Sequence, residues 1–210
     1  MPDLWFVLVE SNTTGTGRDF AEAARRHGLR PILLTRTPAK YPYVHELDLD
    51  VYSVDTLDSA AVEAACRRLD PCGITSSSEY YIQTAAIVGR RLGLPAPDPV
   101  AIGLCRDKAD QRRALAAHGV AVPGFEICTT VAQVRAAAQG PVVVKPTHGS
   151  GSQGVRLCVG PDEAAEWAAG LFAEPGDQVL VEREIRGPEY SVEILNGSVV
   201  GVTRKYLGGE

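Results

Sequence analysis

The 210-residue sequence has no apolar run approaching a membrane span, which takes about 20 consecutive apolar residues. Its first residues, MPDLWFVLVE, carry no basic segment ahead of the apolar stretch and no small-residue cleavage site, so they read as a first core strand and not as an export signal. A basic excess is missing as well: 21 Lys and Arg stand against 26 Asp and Glu, a formal charge of -5, and the cations are scattered. A nucleic-acid surface needs a clustered positive field, so that class of partner is set aside, as is a membrane. Cysteine is sparse and odd in number: Cys66, Cys72, Cys105, Cys128 and Cys158 contain no C-x-x-C pair. That argues against structural zinc and fits thiols kept reduced in a cytoplasm. His27, His45, His118 and His148 show no metal-ligand spacing. With 45% hydrophobic and 22% charged residues, the chain reads as an ordinary globular protein, long enough for one large or two small domains, and two are expected.

Strand and helix signals alternate from the start. Residues 4–10 form an apolar run, 11–17 a polar turn, 20–26 a helical stretch stopped by Gly28, and 31–35 a second strand. Strand, helix and strand with short connections make a βαβ unit, so the first two strands should run parallel. A third strand is expected at 50–54, a helix at 57–69 capped by Asp58 or Ser59, a strand at 73–75 and a helix at 80–92. Residues 1–97 thus predict an open α/β sheet. Ligands of such sheets bind beyond the carboxyl ends of the strands. Glu10, Ser11 and Asn12, with Ser78 and Glu79, are therefore candidate substrate contacts, although each could equally serve only as a turn or capping residue.

Three prolines between Leu94 and Pro99 mark a boundary. Residues 98–120 predict two connecting helices, the second opening near Asp107. Lys108 stands in its first turn, the wrong end for a cation, because the helix macrodipole is positive there; a nearby anion would remove the conflict. From 121 to 180 the pattern is α+β, and its centre is residues 142–155, VVVKPTHGSGSQGV. Three valines read as a buried strand that delivers Lys145 to its end, and Pro146 stops it. Gly149, Gly151 and Gly154, with Ser150 and Ser152 between them, then form a loop able to approach an anion closely and point amides at it. The glycines spell G-x-G-x-x-G, but a strand-like stretch follows where a dinucleotide fold needs a helix, and no Lys-Ser or Lys-Thr pair makes it a Walker loop. The glycines therefore sit on a hairpin. Residues 178–185 and 189–206, with a turn at Asn196-Gly197, predict a final antiparallel sheet of two or three strands, and 207–210 a closing turn.

Lys108 opening a helix, Lys145 before a Gly/Ser hairpin, VLVEREI and GPEYSVE together resemble the ATP-grasp superfamily, which includes D-alanine–D-alanine ligases, biotin carboxylases and carbamoyl-phosphate synthetases. Within it, the N-terminal half looks most like the amino-acid and carboxylate-amine ligases of bacterial peptide pathways. The resemblance implies an α/β fold: an N-terminal open parallel sheet over 1–97, then an incomplete α+β ATP-grasp domain with a lid subdomain at 121–180 and the start of a second subdomain at 181–210. It implies that Lys108 and Lys145 hold ATP phosphates and that Ser150, Gly151, Ser152 and Gly154 close over them. The carbonyl of Arg183 and amide of Ile185 would grip adenine, with Glu182 beside them. Glu189 would take the ribose hydroxyls, since a carboxylate can accept from both, and Lys205 would be a further phosphate ligand. The family's magnesium ligands are a glutamate and a Glu-x-Asn pair on later strands, expected C-terminal to Glu210, so no catalytic or metal residue is identified in the chain and this portion alone is expected to be inactive. The implied reaction is ATP-dependent amide or peptide bond formation through an acyl phosphate, with ATP, Mg2+, a small carboxylic or amino acid and an amine as partners. A homodimer stays open. The alternatives are a non-catalytic nucleotide-binding module, or a half-enzyme completed by another chain. An NAD oxidoreductase would need a glycine fingerprint after residues 4–10, which Ser11 to Gly17 do not supply.

Overall fold

β-Branched residues and leucines dominate the first two strands, and strands of that composition can bury both faces. The computed structural model describes residues 4–13 and 15–206, so the turn expected at 207–210 lies outside the described residues. It divides into two compact units, Met1–Arg106 and Asp107–Glu210. In the first, β1 (Trp5–Val9) and β2 (Arg30–Thr35) are joined by α1 (Thr16–Arg26) and pair in parallel. The connection after β2 holds a 3-10 turn at Pro38–Lys40 and the short α2 (Tyr43–Glu46). With β3 (Asp50–Ser53) and β4 (Gly73–Thr75) the sheet has the order β3-β2-β1-β4, all parallel. The order reverses at β1, which places a switch point between the carboxyl ends of β1 and β4.

Side-chain alternation makes β1 serve two cores. Val7 and Val9, with Ile32 and Leu34, cluster with Val62, Ala65 and Cys66 of α3 (Ser59–Leu69) and Ala85 and Val88 of α4 (Ile82–Arg91). Leu8 and Leu33 cluster on the other side with Ala21 of α1 and with Tyr41, Tyr43 and Val44. Asp58 caps α3 by accepting from the Ala60 amide at 2.8 Å. The helix α5 (Pro99–Arg106) belongs to this unit and meets α4, where the Gln83 side chain donates to the Pro99 carbonyl at 3.1 Å. The expected block of connecting helices at 98–120 is thus divided between the units.

The second unit begins with α6 (Lys108–Ala117). β5 (Phe125–Cys128), α7 (Val131–Ala137), β6 (Val142–Pro146), β7 (Arg156–Cys158), α8 (Pro161–Ala169) and β8 (Val179–Arg183) follow. The sheet is antiparallel with the order β5-β8-β6-β7. One face, with Cys128, Val142, Val144, Val179 and Val181, packs with Val134 of α7 and Ala164 and Ala168 of α8. The last strand in the chain order of this sheet is an inner one, since β8 bonds both β5 and β6. The expected subdomain start at 181 therefore falls inside β8, whose VLVE run is buried on both faces. The remaining strands, β9 (Glu189–Leu195) and β10 (Ser198–Lys205), form a separate two-stranded ribbon around Asn196-Gly197.

Gly154 closes the glycine loop at φ +71°, and a Cβ there would lie 3.0 Å from the Pro146 Cδ. Alanine is disfavoured in that left-handed region, and the pyrrolidine ring cannot swing away. Gly154→Ala is expected to lower the stability of the second unit by about 1–2 kcal/mol. Urea unfolding followed by Trp167 fluorescence measures it.

Candidate functional site

In the β6–β8 ladder Lys145 stands opposite Leu180 and Glu182 opposite Val143. Residues two apart share a face, so Lys145 and Glu182 both lie on the side of the sheet turned away from α7 and α8. Glu182 is almost fully buried, with 6% of its side chain exposed, and Lys145 is nearly so. The Lys145 ammonium bonds Oε2 of Glu182, and the Arg112 guanidinium of α6 bonds Oε1 through Nε. A buried charge is tolerated only when paired and hydrogen-bonded, and here both oxygens are engaged. Burial alone would raise the pKa of Glu182, but the hydrogen bonds from Lys145 and Arg112 outweigh it and hold the carboxyl below its ordinary value.

Arg112 follows Lys108 by one helical turn, so the two share a face of α6. The helix is capped by Asp107, whose Oδ1 accepts from the Ala109 and Asp110 amides at 2.7 and 2.9 Å. That carboxylate offsets the unfavourable position of the Lys108 charge. The Lys108 ammonium donates to the Gly149 carbonyl at 2.6 Å and its backbone amide to the Thr147 carbonyl at 2.8 Å, while His148 Nε2 lies 3.2 Å from Asp107. One foot of the glycine loop is thereby fastened to the start of α6. The other is fastened to α8, where the Trp167 indole donates to the Gly154 carbonyl at 3.0 Å and Arg156 lies over the ring. Between the feet Gly151 and Ser152 are exposed, and Ser152 adopts φ 60°, an uncommon conformation for a residue with a side chain.

Lys145, Glu182, Lys108 and the loop of Ser150, Gly151, Ser152 and Gly154 are thus joined through contacts of α6, β6 and β8. Arg112 was not foreseen from the sequence, though its spacing of four from Lys108 held the signal. Other expected contacts are spread further. The Arg183 amide donates to the Gly124 carbonyl at 2.9 Å, and Ile185, past the end of β8, is exposed. Glu189 and Lys205 face each other across the ribbon at 2.8 Å and remain half exposed.

In the first unit Glu10, expected as a substrate contact, is engaged by the fold itself. Its carboxylate is buried and accepts four hydrogen bonds, from Thr35 (2.7 Å) and Tyr41 (2.5 Å) at Oε2 and from the Arg36 amide (2.9 Å) and Thr56 (2.7 Å) at Oε1. A carboxylate offers about four acceptor sites, so the fold uses them all. Burial would raise its pKa, and these bonds bring it below the ordinary value. Nearer the switch point, the Ser11 hydroxyl lies 3.1 Å from that of Ser77, which also accepts from the Asn12 amide at 3.2 Å. The Ser78 amide donates a turn bond to the Ser76 hydroxyl at 3.0 Å, and Glu79 is exposed.

Residues 105–208 match a family described as ATP-grasp domain. The chain belongs to the ATP-grasp superfamily. An uncharacterized protein of Sinorhizobium fredii, y4rH, is 41% identical over 208 residues, 93% of this chain and 43% of that protein. A D-alanine–D-alanine ligase of Gloeobacter violaceus is 33% identical over 117 residues, 52% of this chain and 38% of the ligase. The crystal structure of an L-amino acid ligase from Bacillus licheniformis superposes with a TM-score of 0.74 at 20% identity, covering 97% of this chain and 50% of that one. The chain thus spans about half or less of the length of these relatives.

The cations and left-handed glycines of this ATP-grasp chain suit a polyphosphate, which needs positive charge and convergent amides. The magnesium site that the superfamily implies is not met in the same way: among the described residues no three His, Cys, Asp or Glu side chains gather as ligands. Among them, too, no helix is long and apolar enough to cross a membrane.

Glu10→Gln replaces an acceptor of four charge-assisted bonds by a neutral amide that accepts at one oxygen only, and is expected to cost about 3 kcal/mol at pH 7. Because the folded pKa of Glu10 is depressed, its stabilisation is present above the unfolded carboxyl value and is lost as pH falls through the folded one. Denaturant midpoints between pH 7 and pH 3 should therefore fall less steeply in E10Q than in the wild type.

Proposed function

We propose that the unit Asp107–Glu210 binds ATP, and that the protein it represents is a carboxylate-amine ligase. The observation that carries this reading is the Lys145–Glu182–Arg112 bridge with Lys108 one turn away, which gathers three cations beside a glycine loop. In this reading Lys108 and Lys145 take phosphate oxygens, the amides around Ser150, Gly151, Ser152 and Gly154 close over them, and the strand end at Arg183 and Ile185 receives the purine. Glu189 is assigned to the ribose and Lys205 to a phosphate, each leaving the other to do so. Ser11, Asn12, Ser78 and Glu79 are kept as substrate contacts.

The reaction class follows from relatives named as ligases. A substrate carboxylate oxygen attacks the γ-phosphorus, ADP leaves, and an acyl phosphate forms. An amine nitrogen then attacks the acyl carbon, phosphate departs, and the nitrogen loses a proton to give an amide. No side chain need become a covalent nucleophile: the cations stabilise phosphate charge and a closed loop excludes water.

Calorimetric titration of the chain with ADP and ATP tests the binding step. Lys108→Ala and Lys145→Ala should each weaken binding by about 10- to 100-fold, the loss of one charged hydrogen bond. No binding by the wild type would refute the nucleotide site. For the longer protein, ADP and phosphate should appear only when both a carboxylate and an amine are supplied, and AMP with pyrophosphate would reject the acyl-phosphate route.

A further inference from the structure

We propose that Arg112 is a positioning residue of the nucleotide site: by occupying Oε1 of Glu182 it keeps Lys145 anchored through Oε2 alone, with the remaining ammonium donors available to a phosphate. The inference rests on the reading of Asp107–Glu210 as an ATP site and adds to it a residue that acts through another.

The geometry supplies the argument. An ammonium has three donors, and one of those of Lys145 goes to Glu182. A carboxylate free of other partners could draw the ammonium into a two-oxygen contact and bury it, spending donors on the sheet. Arg112 blocks that. Its own orientation is set by a second bond, from NH1 to the Gln111 side chain at 3.1 Å, and its planar guanidinium holds direction better than a lysine would. Among the described residues the charged groups facing Glu182 are Lys145 from β6 and Arg112 from α6. Its neighbours in register, Phe125 on β5 and Val143 on β6, are apolar. Nothing on those strands can replace the guanidinium. Without it Glu182 keeps one partner: at pH 7 the charged carboxylate takes Lys145 with both oxygens, and toward lower pH, where burial favours the neutral form, it ceases to anchor Lys145 at all.

The experiment combines ADP titration from pH 5 to pH 8 with 13C NMR titration of the Glu182 carboxyl in the nucleotide-free chain. In Arg112→Gln the carboxyl should titrate at higher pH than in the wild type. ADP affinity should be about tenfold weaker than that of the wild type at pH 7, and the ratio should widen toward pH 5, where the wild type loses only what protonation of the ADP phosphate removes. Arg112→Lys should recover most of the affinity, to within about threefold. An unchanged affinity in R112Q, or a loss equal at every pH and not rescued by R112K, overturns the proposal, because a scaffold role alone would give that pattern. If R112Q does not fold, the cycle with Glu182→Gln decides: the small cost expected of R112K, up to about threefold, must vanish in E182Q, and equal costs in both backgrounds overturn the proposal. A wild type that binds no ADP removes the ATP-site reading and this role together, whereas normal wild-type binding with either null pattern removes Arg112 alone.

Discussion

A carboxylate taken out of water at the end of an inner strand has to be neutralised by whatever the fold brings to it, and Glu182 is neutralised from two directions at once. Lys145 reaches it across the β6–β8 ladder, and Arg112 reaches it from α6. Removing either partner would leave a buried charge half satisfied, a change that typically costs about 3–5 kcal/mol. The pairing therefore does more than join two side chains. It binds α6 to the open face of the sheet, and the first turn of α6 in turn holds the foot of the glycine loop. Cations held by the fold before a ligand arrives need little rearrangement on binding, which is the condition for strong electrostatic recognition.

Glu10 faces the same physical problem and reaches a different result. Its partners are three hydroxyls and a backbone amide, all neutral, gathered from the end of β2 and from the segments that follow β2 and β3. They satisfy the carboxylate completely, and the negative charge stays local: burial of the Tyr41 ring, and then its bond to Glu10, push the pKa of that hydroxyl upward. No acceptor position of that carboxylate is left over. At Glu182 the partners are cations, so satisfying the carboxylate leaves a surplus of positive charge at the surface of the sheet. The identity of the donors, and not the burial of the acid, separates an anchor from a binding site.

Those donors also explain what could be read in the sequence. Lys145 was legible because a run of three valines fixes a buried strand and its end, and the hairpin turn at Asn196-Gly197 because those residues accept positive φ. The parallel sheet followed from the alternation of strands and helices. The saturation of Glu10 was hidden because Thr35, Tyr41 and Thr56, which supply it, are remote in sequence. Arg112 resembled any solvated helix arginine until α6 was seen against Glu182. The inner place of β8 was hidden for a related reason: its apolar run says that it is buried, and only pairing with both β5 and β6 says between which neighbours.

The glycine loop shows how charge and backbone divide the work. Gly149, Gly151, Ser152 and Gly154 all have positive φ, a geometry in which successive amides can turn toward one side and form an anion-receiving concavity. Such a loop is useful only if its direction is set and its tip can still move. Lys108 and Trp167 hold the two ends, and the exposed tip carries no buried apolar side chain to resist motion. The Lys108 ammonium is bonded to the Gly149 carbonyl, so an anion that recruits this cation must share or displace that bond. Charge on the ligand is then felt by the loop through the same nitrogen, and the position of the loop bears on the affinity of the cation, since any coupling of this kind acts equally in both directions.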